Sequence, residues 1–400
     1  MTIRITYIIL LWSMLLILYL SGEYLRKRYK LLSFAGVAAI LAYTLNEGLR
    51  FGRGIDYNIY WRDYDHLAAG WQLEKEPVFI FLQQFFISLD LPFQALTLFM
   101  SFMFILGVLC LMRNFKMVLP LALSLFVFYS LSNVENMVRW YLAYSFILIG
   151  LSFLLYEKHL NRKYIFWCVI GCSIHLAIIP IPFIFYILYL KKGVLLHPFI
   201  SIPVFFLIYF LFDTQIMLNF ADLMNFITST TGAFENYSER TEYWLTGGFA
   251  GIEKSGRIAP IDLLYNCTLT FMGYKAVRQM GRNYIFAYNL FVIGMLIYPI
   301  SLKIELVERY DRIFYFFRGV VSASAIYMYI IWKRITTYYI VWIPTILIYV
   351  SSIRGIVTPL KVNEKFLLYV WDKGNYKHNS ILQLYKKEAY KSASKEKREE

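Results

Sequence analysis

Arg139 stands at the mouth of an apolar run, 138–156, and a lone His175 ends the next one just before Pro180 and Pro182. An ionisable group at the edge of bilayer-buried helix is costly and needs a partner. A guanidinium suits phosphate or diphosphate, because its planar fork makes paired charge-assisted bonds and never deprotonates. Three stretches share this chemistry. The first is Arg50-Phe51-Gly52-Arg53-Gly54-Ile55-Asp56-Tyr57 with Tyr60, closed by Glu76-Pro77. The second is Asn133, Glu135, Asn136 and Arg139, joined by His175; the third is Glu305, Glu308, Arg309, Tyr310, Asp311 and Arg312. Carboxylates among them could take a proton from a sugar hydroxyl, and the aromatic rings could stack on sugar faces.

Each has an ordinary alternative. Arg139 could snorkel to an interface, and His175 could bond a carbonyl freed by Pro180. Asp56 and Glu76 could be solvated loop charges. Arg309 and Arg312 could pair with Glu305, Glu308 and Asp311. Tyr237 and Glu239, in a later polar stretch, are weaker signals.

The elements that must position these residues are membrane spans. With 59% hydrophobic residues and a mean hydropathy of +0.53, the chain is not a soluble globular domain. Apolar runs long enough to cross a bilayer recur along it, which predicts an all-α, polytopic bundle of about twelve spans. The net charge of +14 does not point to nucleic acid, since the basic residues sit in short turns between apolar runs. The four cysteines, Cys110, Cys168, Cys172 and Cys267, lie inside apolar runs without metal-ligand spacing, so packing explains them better than metal or disulfide.

Span one covers 5–20 and ends in a basic turn; the second covers 31–45. The polar loop 46–76 follows. The run 78–89 is too short to cross and reads as a re-entrant or interfacial helix. Further crossings are 93–112, 117–131, 138–156, 164–175, 184–190 and 195–212. The second large loop, 213–257, leads to spans 258–274, 284–301, 312–332 and 336–352. Charge orients the scheme: the cytoplasmic turns total +14 and the outer loops −4. Residues 1–360 read as one transmembrane domain and 361–400 as a basic, partly disordered tail. Twelve spans place that Lys-rich tail outside. Either the last run re-enters, or a long tail escapes the charge rule.

Order and spacing carry a resemblance. Arg53-Gly54-Ile55-Asp56 with Tyr60, then Glu76-Pro77-Val78-Phe79, the Arg139 span, the Arg162-Lys163-Tyr164 turn, the Ile174-His175-Leu176-Ala177 break and the late Arg309 together resemble the EpsG-type branch of the Wzy polysaccharide polymerases. Two positions depart from that pattern. The usual Phe-His is Ile174-His175 here, and the usual Arg-Gln pair is Arg139-Trp140.

The resemblance implies a glycosyltransferase-C-like helical enzyme of the bacterial cytoplasmic membrane, with its active site facing outward. Its substrates would be oligosaccharide repeats linked to undecaprenyl diphosphate, with a flippase and a chain-length regulator as implied partners besides membrane lipid. On that pattern Arg53, Arg139, Arg309 and Arg312 would hold diphosphate. Asp56 or Glu76 would be the general base, assisted by His175, and Tyr57, Tyr60, Tyr237 and Tyr310 would meet sugar. No cofactor and no metal is expected. Two alternatives use the same residues: a flippase for lipid-linked oligosaccharide, which would want charges along a central cavity, and a ligase passing glycan to another acceptor. An acyltransferase would prefer its histidine on the other face.

Overall fold

The computed structural model describes residues 2–54, 56–73, 75–191, 193–211, 258, 260–302, 305–332 and 367–375. Among them the architecture is helical, with one isolated bridge between Arg50 and Tyr369. The whole loop 213–257 with Tyr237, the span 336–352 and the tail from 376 lie outside the described residues, and the twelve-span count runs through them. Among the described residues four helical stretches are long and apolar enough to cross a membrane: Ile3–Lys27, Phe93–Leu131, Val138–Glu157 and Arg282–Ser301. This is a helical membrane protein.

Helices α1 (Thr2–Lys27) and α2 (Phe34–Gly48) form a hairpin beside α5 (Phe93–Met112), α6 (Leu119–Asn136) and α7 (Val138–Glu157). The apolar stretch 93–131 is two helices, because Phe115 leaves helical geometry (φ −125, ψ 40) and the chain doubles back there. A second break is shorter. Met137 (φ −97, ψ 56) alone separates α6 from α7, so Glu135 and Arg139 stand on opposite sides of a one-residue hinge.

Helices α3 (Tyr57–Ala68) and α4 (Pro77–Ser88) crown that end of the bundle. At 12 residues α4 is about 18 Å long, short of the hydrocarbon thickness. Both of its ends lie at this end of the bundle: Glu76 at its start meets Arg139 on α7, and Leu91 beyond its end accepts a hydrogen bond from Tyr64 of α3 at 2.6 Å. Helices α8 (Arg162–Ile174) and α9 (Pro180–Leu190) are also short. Asn161 caps α8, accepting from the Tyr164 N–H at 2.7 Å, and Pro180 opens α9, where a missing N–H costs nothing. His175 lies between them in extended geometry, followed by a single 3-10 turn, Leu176–Ile178.

After α10 (Pro198–Leu211) come α11 (Pro260–Met280) and α12 (Arg282–Ser301). The stretch between the expected spans 284–301 and 312–332 is not a loop but mostly helix α13 (Glu305–Tyr315). Apolar positions 306, 307, 310, 313 and 314 recur at helical spacing, which the density of charges hides. Helix α13 folds back along α12. Gly294 allows this, since a Cβ there would lie 2.4 Å from the Tyr315 nitrogen. Phe316 and Phe317 break the helix before α14 (Arg318–Ile326).

The segment 367–375 returns to the crown. Phe51 N–H donates to the Leu368 carbonyl and Val370 N–H to that of Leu49, each at 3.0 Å. The described part of the tail therefore lies at the same end of the bundle as loop 46–56 and the start of α1.

Candidate functional site: an open and a closed arginine cluster

The first cluster gathers around Glu76. Pro77 fixes the first turn of α4, and the Glu76 side chain does not cap its own helix. One carboxylate oxygen is paired with Arg139, while the other lies 3.1 Å from Nδ1 of His175. Burial alone would raise the Glu76 carboxyl. The contact with His175 and the Arg139 charge overcome it, and hold the group down at about 2. His175, itself only 4% exposed, stands against this carboxylate. Trp140 braces this pair, its ring edge-to-face with His175 at 5.0 Å and with Tyr310 at 5.5 Å. Tyr310 in turn donates to the Ala177 carbonyl at 2.6 Å, tying α13 to the His175 break.

Asp56 stands on the same side. Its carboxyl is raised by burial against the opposing fields of Arg309, Lys75 and Arg139. It precedes α3 without capping it, and its carboxylate has no hydrogen-bond partner among the described residues. Tyr60 lies between these groups: its ring meets Phe79 edge-on at 6.0 Å, and its hydroxyl, raised to about 12 mainly by burial, feels Arg139, Asp56 and Arg309. Arg139 and Glu76 keep 17% and 14% exposure, so a ligand can reach them.

The second cluster is sealed. Arg53 is 1% exposed, with Glu47 at 3.4 Å on one nitrogen and Glu135 at 3.3 Å on another. Its guanidinium stacks over Tyr369 at 4.7 Å and Tyr7 at 5.3 Å. Arg50, also buried, donates to the Glu47 carbonyl at 2.9 Å, and Tyr369 donates to Asn46 at 2.8 Å. Gly54 brings the loop against the hinge: its φ is +94, and a Cβ there would stand 2.4 Å from the Glu135 carbonyl. Two guanidinium groups are thus matched by two carboxylates.

Of the residues singled out from sequence, the structure brings together Asp56, Tyr60, Glu76, Arg139, His175, Arg309 and Tyr310. It does not place Arg53 with them, nor Tyr57, which is buried and donates to Gln94 at 3.2 Å. Arg312 pairs with Glu308 one turn back on α13. Tyr237 lies outside the described residues. Lys75 and Trp140 were not assigned a role from the sequence. Lys75 was a loop charge next to Glu76, and Trp140 a departure from the Arg-Gln pair, so neighbourhood was the only available signal. Among the described residues no three His, Cys, Asp or Glu side chains gather as a metal site.

No curated protein sequence and no solved structure matches the chain. A family model does. The EpsG family model matches residues 33–371, which take in the whole open cluster, and every member of the closed one except Tyr7. With that match running from α2 through the returning Tyr369 segment, the chain belongs to the EpsG family.

Proposed function

We propose that this protein polymerises polysaccharide at the outer face of the bacterial cytoplasmic membrane, joining oligosaccharide repeats carried on undecaprenyl diphosphate. The observation that supports this most is the convergence of Asp56, Glu76, Arg139 and His175, with the Arg309 field, from separate elements at one end of the bundle. Family membership supports the polysaccharide class of substrate.

The chemistry follows from the two carboxylates. Glu76, held ionised by Arg139 and His175, is a poor base and serves to orient the guanidinium. Asp56, raised and unengaged, is the better base. The acceptor hydroxyl gives its proton to Asp56 as its oxygen bonds the anomeric carbon of the donor. The anomeric C–O bond breaks, and undecaprenyl diphosphate leaves with the electron pair toward Arg139 and Arg309. Preset charge at a leaving group is commonly the largest catalytic contribution. Tyr60 and Tyr310 offer ring faces to sugar beside this path.

Purified protein given lipid-linked repeats in detergent tests the reading. The expected result is a ladder of polymer with release of undecaprenyl diphosphate. Detergent offers no second compartment, so a flippase would leave the repeats single, and that outcome would overturn the proposal.

A further inference from the structure

A groove of about 420 Å³ opens at the far end of the bundle from Glu76, between the turn 113–118, the end of α7 and the start of α12. Its lining carries Arg113, Lys116 and Lys158 and no carboxylate. Arg113 is held ready: its guanidinium lies over Tyr156 at 4.4 Å and Phe153 at 4.9 Å, and one terminal nitrogen donates to the Ser152 carbonyl at 3.3 Å. Its buried Nε has no partner among the described residues. The carboxylate whose field reaches this arginine, Glu157, is already bridged to Lys163 at 2.8 Å. Lys116 and Lys158 are exposed and enter no ion pair among the described residues.

Depth decides what kind of anion fits. Helix α7 is a 20-residue apolar crossing that ends at Glu157, and α12 begins another at Arg282. The groove therefore sits where a leaflet's hydrocarbon gives way to its phosphates. Tyr156, 62% exposed at the same level, is placed as an interfacial aromatic. We infer that this groove binds the phosphate headgroup of an anionic phospholipid, in the leaflet opposite the Glu76 cluster. The site is independent of the reaction proposed above. It tethers the turn 113–118, which joins α5 to α6, to the membrane surface.

Native mass spectrometry of the full chain, extracted and then offered phosphatidylglycerol, phosphatidylcholine or free glycerol 1-phosphate, tests this. The wild-type chain should retain phosphatidylglycerol in preference to phosphatidylcholine. The triple variant R113Q/K116Q/K158Q should lose affinity by roughly fivefold for each cation removed. If that variant does not fold, K116Q/K158Q leaves the Arg113 stack intact and should still weaken retention. Equal retention of phosphatidylcholine, or unchanged retention by the variants, would overturn the inference. So would displacement of the lipid by an equal concentration of glycerol 1-phosphate, which would assign the groove to a soluble ligand.

Discussion

Two arginine clusters share a wall in this protein and are built from the same residue types, yet they are finished differently. Loop 49–56 gives Arg53 to one and Asp56 to the other; the hinge at Met137 gives Glu135 to one and Arg139 to the other. Around Arg53 every charge is matched, the side chain is 1% exposed, and the rings of Tyr7 and Tyr369 lie against its guanidinium. Around Glu76 the pairing is looser: Arg139 meets Glu76, Lys75 meets Asp63, the Asp56 carboxylate has no hydrogen-bond partner among the described residues, and Arg139 and Glu76 keep some exposure. Matched burial makes a frame, while the partly exposed charges at the rim are the ones proposed to bind diphosphate. The sealed cluster holds the short loop whose end carries Asp56.

The largest expected effect breaks the sealed side. Arg53→Met leaves Glu135 without its partner and Glu47 with Arg50 alone, and should cost about 3–5 kcal/mol, seen as a fall in thermal unfolding temperature and in extractable protein. Adding Glu47→Gln and Glu135→Gln should restore part of that loss. If R53M is as stable as wild type but inactive, Arg53 belongs to the chemistry and the contrast fails.

Next comes Asp56→Asn, which should lower polymer formation at least about a hundredfold while leaving unfolding unchanged. Undiminished turnover would move the base elsewhere.

The third test uses pH. Glu76 stays ionised in the folded protein down to about 2, whereas a glutamate at its ordinary 4.5 takes its proton sooner. Its contribution to stability is full above 4.5 and is lost as pH falls toward 2. Glu76→Gln should flatten that acid limb in a stability-against-pH series; an unaltered limb would show that the pairing does not persist in solution. The smallest effect is Tyr310→Phe, which leaves the Ala177 carbonyl unpaired and should cost about 1 kcal/mol by chemical denaturation.

Much of the open cluster was legible before any coordinates. Arg139 and His175 are expensive where they stand in an apolar chain, so their type and position betray them, and Asp56, Glu76 and Arg309 follow from the order of motifs. The sealed cluster was not legible. Arg53 and Asp56 look alike as loop charges three residues apart, and only the partner 316 positions after Arg53, Tyr369, marks Arg53 as a stacked core arginine. Helix α13 was hidden because its charged face dominates the composition of 303–312. The side on which 367–375 lies escaped charge counting, because a distant tail obeys the loop rule weakly; the pairing of Tyr369 with Arg50 places it.

In the proposed reaction Arg139 acts on the leaving diphosphate, beyond its pairing with Glu76. The direct measurement is the detergent polymerisation assay on Arg139→Gln, with thermal unfolding of the same preparation. The expected result is a folded R139Q whose unfolding temperature falls no further than that of Glu76→Gln, with no ladder beyond the single repeat. A full-length ladder from a stably folded R139Q would contradict it.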